Sequence, residues 1–326
     1  MAPTREPLSP TSGGPPAAAA LPWSLRQLLP YLRREGPMWS TFYRWCGGED
    51  PRRFRSCGRA IVRGKLHGYE MELDLANWSE RLSFCLGRYH DLPLQLAMQR
   101  VLRPGDAFVD IGANLGLVTL LASSLVGPTG AVLACEPSPT LGSRLQSHVQ
   151  RNGLQNVRLL AAALGSEAGA GELREYDGHS GWGSLSAAGP EGARQTAAFR
   201  VPVTTGDTAL QAVPAGHPLV VKIDVEGHEV PVLRGLQHTL AVRQPLVFLE
   251  VCDAHQRRAG FSAAELRAAI EGHGYRGFAV DTARSLLRHE LLLLPIEQSA
   301  RHEIDALFVP LRGPLHDRLA TLLARA

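Results

Sequence analysis

Lysine is almost absent from this chain: every basic side chain except Lys65 and Lys222 is arginine, and the net charge is only +3. A nearly balanced chain with no basic-aromatic motif and no recognition-helix pattern lacks the electrostatic footprint of a nucleic-acid binder. Arg33, Arg34, Arg44, Arg52, Arg53, Arg55 and Arg59 do make the N-terminal region basic, and they read as a solvated face that attracts anions. The five cysteines, Cys46, Cys57, Cys85, Cys135 and Cys252, are scattered and never spaced C-x-x-C. That pattern indicates neither a disulfide framework nor a zinc site, and it suits a reducing compartment. Apolar runs near the roughly 18 residues of a membrane span are missing, as is a charged segment leading into a long apolar one. A soluble, cytoplasmic protein is expected. There is no internal repeat.

What is present suits one large α/β domain with an extension: 326 residues, 44% hydrophobic and 20% charged. Residues 1–20 hold mostly Pro, Ser, Gly and Ala and predict a disordered tail, because they carry too little apolar surface to offset the entropy of ordering. Residues 21–90 read as an N-terminal extension. In it, Trp23, Leu25, Leu28, Leu29 and Leu32 give helical spacing over Pro22–Arg34, and Tyr69–Leu75 alternates like a strand. Residues 91–312 form the main domain, and residues 313–326 a C-terminal helix. A helix over Leu92–Leu102 should stop at the turn Arg103-Pro104-Gly105-Asp106. Beyond it, strands are predicted at Ala107–Ile111, Ala131–Cys135, Val157–Ala161, Leu219–Ile223 and Leu246–Val251, with helices between, then a helix near Ser262–His273. Tyr275–Val280 and Ala306–Val309 read as two final strands joined by a polar loop. Strands alternating with helices predict a doubly wound, mostly parallel sheet.

The strongest chemical signal is Asp110-Ile111-Gly112-Ala113-Asn114-Leu115-Gly116, set where an apolar strand gives way to an apolar helix. Glycines there let the backbone approach a ligand. Glu136 ends the next strand, where a carboxylate can accept both hydroxyls of an adenosine ribose. A nicotinamide dinucleotide is disfavoured: its loop reads G-x-G-x-x-G and cradles a pyrophosphate, which Asp110 would repel. The same Asp110 would attract the ammonium of a methionine moiety, directly or through water. The cofactor expected on this charge argument is S-adenosylmethionine, with Asp110, Gly112, Asn114, Gly116 and Glu136 as its binding residues.

Four blocks carry a resemblance to the FkbM methyltransferase family over about Leu73 to Val309. They are Pro104-Gly105-Asp106 leading into Asp110–Gly116, Glu136-Pro137 with Asn152-Gly153-Leu154, Val221-Lys222-Ile223-Asp224-Val225-Glu226-Gly227-His228-Glu229, and Pro245 to Glu250. The third block is the most specific; at Thr205-Gly206-Asp207 the chain departs from the family, which usually has Leu before the Asp. The resemblance implies a class I methyltransferase (Rossmann-like) fold, with a seven-strand sheet that is mostly parallel and ends in an antiparallel strand. It also implies methyl transfer, usually to oxygen, on sugars, glycans or polyketide-type small molecules.

Methyl transfer from a sulfonium is an in-line displacement, so an acceptor oxygen must be positioned and relieved of its proton. Asp224, at the carboxyl end of the fourth strand, is the expected base or orienting group, with Glu226 and His228 as further catalytic candidates. Glu226 and Glu229 have a plainer reading as complements of the helix dipole, and His228 as a solvated first-turn residue. Lys222, in an otherwise apolar strand, is either a buried partner of a carboxylate or points into the crevice. Asp224 and Glu250 at adjacent strand ends raise the alternative of a magnesium ion, but no third ligand is identifiable and no metal is assigned. The loop Asp177–Leu185, with Trp182, is a candidate cover for the cofactor or a surface for a sugar. The competing functional class is a regulatory protein that retains the S-adenosylmethionine pocket without catalysis.

Overall fold

A computed structural model describes residues 21–176, 181, 183–186, 189, 192–284, 289–298 and 303–323. The expected tail over residues 1–20, and Trp182 with most of its loop, lie outside the described residues. The extension begins with α1 (Trp23–Arg34) and α2 (Trp39–Trp45), followed by an antiparallel pair, β1 (Arg59–Arg63) and β2 (Glu70–Asp74), and by α3 (Trp78–Leu86). Its apolar side chains form no separate core. Leu25, Leu29, Leu32, Phe54, Met71, Leu73 and Phe84 pack in one cluster with Leu115, Leu117 and Leu120, which stand in or beside the first helix that follows the glycine loop.

Next come α4 (Leu92–Val101), β3 (Ala107–Ile111), α5 (Leu117–Val126), β4 (Ala131–Cys135), α6 (Pro139–Arg151) and β5 (Val157–Leu160). A small sheet of β6 (Ala163–Gly165), β7 (Gly169–Tyr176) and β8 (Gln195–Thr205) leads into α7 (Gly206–Ala209). The chain then runs through β9 (Leu219–Ile223), α8 (Glu229–Arg234), α9 (Gln237–Val242), β10 (Leu246–Cys252), α10 (Asp253–Arg258), α11 (Ala263–Glu271), β11 (Tyr275–Arg284), β12 (His289–Pro295), β13 (Glu303–Pro310) and α12 (Pro314–Leu323).

The main sheet has the order β12-β11-β13-β10-β9-β3-β4-β5. The run β10-β9-β3-β4-β5 is parallel, and β13 is antiparallel to both β10 and β11. This is the expected mostly parallel class I sheet with its antiparallel last strand, plus one addition. The segment read as a polar loop contains β12, which pairs with β11 as an eighth strand. Successive side chains of a strand point to opposite faces, so each strand feeds two cores. Val109, Ile111, Val221, Ile223, Val247, Leu249 and Phe308 pack under α8, α9 and α11, whereas Phe108, Val132, Val220, Leu246, Leu307 and Val309 pack under α4, α5 and α12. Several alternate positions continuing the second face are ionisable at the carboxyl ends: Asp110 after Phe108, Lys222 after Val220 and Glu250 after Phe248. An apolar face that turns charged at one end of its strands marks the end that is not sealed by core.

The departure from the family pattern falls on Gly206, where a Cβ would meet the Leu236 side chain at 2.4 Å; beside it the Thr205 hydroxyl caps α7 through Thr208 N–H at 3.2 Å. Asp207 accepts the backbone N–H groups of His238 and Thr239 at 3.0 and 2.8 Å.

Candidate active site

β3 and β9 are neighbours in the sheet, but the chain leaves β3 toward β4 on one side and reaches β9 only later on the other. The crevice outside such a switch point is where open α/β sheets bind ligands. Here it is a cavity of about 400 Å³ lined by Gly112, Asn114, Glu136, Lys222, Asp224, Glu226, His228 and Glu250, among others.

The turn after β3 is built from left-handed backbone: φ is 78° at Gly112, 53° at Asn114 and 88° at Gly116. A Cβ on Gly112 would sit 1.9 Å from the carbonyl oxygen of Asp224, so only glycine lets the β3 and β9 turns meet. Gly116 is placed differently from expectation. It caps α5, a Cβ there would strike Leu145 at 2.2 Å, and it does not line the cavity. Asn114 accepts from Leu115 N–H through its own Oδ1 at 2.7 Å and donates its backbone N–H to Glu136 Oε2 at 2.7 Å.

Glu136, at the end of β4, is only 7% exposed. Its other oxygen accepts from Ser138 N–H at 2.8 Å. Burial drives its pKa up and the two N–H groups pull it down, leaving it at about 7. A carboxylate fixed by two backbone donors at the cavity wall is suited to accept further hydrogen bonds from a ligand.

Asp110, expected to attract the cofactor's ammonium directly or through water, stands behind the wall rather than on it. It is fully buried, accepts from Thr119 Oγ1 at 2.7 Å, and lies opposite Lys222 in the β3–β9 register. The Lys222 ammonium lies 3.4 Å from Asp110 Oδ1 and 3.1 Å from Asp224 Oδ2, and donates to Gly112 O at 3.1 Å. Burial opposes its charge, but Asp224 and Asp110 override that and raise its pKa. The ambiguity over Lys222 resolves into both readings: it is a buried partner of two carboxylates, and it reaches the cavity.

Asp224 remains one-third exposed. The turn after it is tightly held. Glu226 has φ of 54° and Gly227 of 103°, while Glu229 is fully buried and accepts the N–H groups of Val225 and Gly227 at 3.1 and 3.2 Å. Glu229 thus fastens the loop that presents Glu226. A non-glycine residue in left-handed backbone costs of order 1 kcal/mol and persists where its surroundings enforce it. His228 lines the same cavity, and burial lowers its pKa.

His255 completes the cluster: its Nδ1 is 3.1 Å from Glu250 and 3.4 Å from Glu226. Burial, then the Arg258 charge, takes its pKa down to about 4. Burial and the Asp224 charge push Glu226 and Glu250 well above the usual carboxylate range. The sequence reading passed over His255, although it lies five residues beyond Glu250, and over Trp78, Tyr89 and His90 of the extension, which also line the cavity. Among the described residues, no group of three His, Cys, Asp or Glu side chains converges as metal ligands would. The magnesium alternative gains no geometric support.

The FkbM methyltransferase domain pattern matches residues 110–276. The chain belongs to the FkbM methyltransferase family. It is similar to Methyltransferase 1 of Beauveria bassiana, with 28% identity over 56% of this chain and 76% of that one. It is also similar to the hexuronic acid methyltransferase AglP of Haloferax volcanii, at 27% identity over 41% of this chain and 52% of that one. A solved FkbM methyltransferase from Methylobacillus flagellatus aligns over 72% of this chain and 54% of that one, with a TM-score of 0.38 and 14% identity. This FkbM protein is therefore an S-adenosylmethionine-dependent methyltransferase, and its cavity fits that cofactor: a backbone cradle at Gly112 that tolerates no Cβ, and a fixed carboxylate at Glu136. No helix among the described residues is long and apolar enough to cross a membrane.

Proposed function

We propose that this chain methylates a hydroxyl oxygen of a sugar or glycosylated small molecule, with Asp224 as the group that orients the hydroxyl and accepts its proton. The observation that carries this reading is the Lys222–Asp224 contact: a partly exposed carboxylate at the cavity wall, anchored by a buried ammonium. In this reading Glu136 and the Gly112–Asn114 turn hold S-adenosylmethionine. Bound there, the cofactor supplies an electrophilic methyl group carried on a sulfonium. A sugar hydroxyl is a very weak acid, so its oxygen becomes a competent nucleophile only as its proton departs. Asp224 takes that proton, and Lys222 holds the carboxylate in place. Glu226 and Glu250, with the His255 ring nitrogen 3.4 and 3.1 Å away, hydrogen-bond other hydroxyls of the acceptor. AglP, named as a hexuronic acid methyltransferase, supports a sugar acceptor by likeness.

The test is Asp224→Asn. Affinity for S-adenosylhomocysteine should stay near wild type, and transfer of labelled methyl to a panel of glycosides should fall by about a hundredfold or more. Loss of cofactor binding with turnover at saturation unchanged would move Asp224 to the cofactor's binding set and return the base to Glu226, His228 or Glu250.

A further inference from the structure

The family match begins at residue 110, yet part of the cavity wall comes from residues before it. Trp78, Tyr89 and His90 all line the cavity. Trp78 is 43% exposed, and among the large apolar side chains exposed to this degree in the described residues it is the one on the cavity wall. Its ring centroid lies 5.5 Å from that of His90, which lies 4.4 Å from that of Tyr89. We propose that this aromatic group is the acceptor-binding platform of the enzyme, a subsite for one face of a pyranose ring. The proposal rests on the reading of a sugar acceptor given above.

A pyranose presents C–H groups on its faces and hydroxyls around its edge. Aromatic rings are large and rigid, and they suit the first; carboxylates suit the second. Both chemistries meet in this cavity, since Glu226 and Glu250 line it as well. The platform is also built to keep its shape, which limits the ordering cost of binding. Asn77 caps α3 through Ser79 N–H at 3.1 Å, and Glu80 is bound by Arg144 of α6 at 2.6 and 2.8 Å. The buried Arg88 guanidinium donates to the carbonyls of Tyr89 and His90 at 2.6 and 2.8 Å and to Glu35 at 2.8 Å.

The experiment uses the full chain saturated with S-adenosylhomocysteine. Methyl glucoside, methyl galactoside and methyl mannoside are titrated by calorimetry and by intrinsic tryptophan fluorescence, with sorbitol as the open-chain control. At least one pyranoside should bind saturably with a change in fluorescence, and sorbitol should not. Trp78→Ala should weaken that binding about tenfold, and Trp78→Phe should restore most of it. S-adenosylhomocysteine affinity in each variant reports that the site is folded. Failure of every pyranoside to bind, or binding of sorbitol equal to that of the pyranosides, would overturn the sugar-acceptor reading and the platform with it; a pyranoside bound as tightly by Trp78→Ala as by wild type would overturn the platform alone. Failure of wild-type protein to bind S-adenosylhomocysteine would instead overturn the underlying reading of the cavity.

Discussion

Lys222 places one ammonium between two carboxylates, 3.1 Å from Asp224 and 3.4 Å from Asp110. The two acids are not equivalent. Asp110 is fully buried, with its Oδ1 lacking any hydrogen bond, whereas Asp224 is partly exposed to the cavity. Removing the cation from a buried ion pair costs about 3 to 5 kcal/mol, because it strands an uncompensated charge. Lys222→Met should therefore lower Tm markedly in a thermal melt, and adding Asp110→Asn should recover much of the loss, since water reaches Asp224 but not Asp110. An unchanged Tm for Lys222→Met would contradict this account of the triad.

If Glu136 holds the cofactor as proposed, it gives cofactor binding a pH dependence. Burial raises its pKa to about 7, and a ribose donating two hydroxyls to it requires the ionised form. Binding then lowers the pKa and releases a proton. Affinity for S-adenosylhomocysteine should rise as pH increases through about 7 and level off above it. Calorimetry in buffers of different ionisation enthalpy near pH 7 should detect the released proton, and Glu136→Gln should abolish both effects.

Glu35 ties the end of α1 to the cavity wall through Arg88. Burial pushes its pKa up, but Arg88 and Lys65 override that and bring it to about 2. A depressed carboxyl contributes stability that is fully present above its unfolded pKa near 4.5 and is lost as pH falls toward 2, here about 3 kcal/mol. Glu35→Gln should lower stability at neutral pH, because Arg88 is only 2% exposed and loses its counter-charge. The variant's unfolding free energy should also vary less than wild type's between about pH 5 and 2 in denaturant titrations.

The central parallel strands were legible because they are short, nearly continuous apolar runs buried on both faces, as at Ala107–Ile111 and Leu219–Ile223. The small sheet was not. In β7 only Leu173 is buried and there is no apolar run, whereas in β8 Phe199, Val201 and Val203 alternate with Arg200 and Pro202 and share one cluster, but Pro202 demotes that run as a strand signal. β1 holds two buried residues, Ala60 and Val62, flanked by arginines that suggested only a basic surface. In the site, spacing located Glu136 and Asp224 at strand ends, and the structure puts both on the cavity wall. What spacing did not reveal is lateral pairing. That Asp110 faces Lys222 follows from the β3–β9 register, and that His255 meets Glu226 follows from how α10 folds back over the loop.

The central claim is that the cavity between the Gly112 turn and Glu136 binds S-adenosylmethionine, and titration calorimetry tests it most directly. Wild-type protein should bind S-adenosylmethionine and S-adenosylhomocysteine more tightly than NAD. Glu136→Ala should weaken that binding by about 1 to 3 kcal/mol, the scale of two lost hydrogen bonds to a carboxylate. Binding of NAD without S-adenosylmethionine, or full affinity in Glu136→Ala, would contradict it.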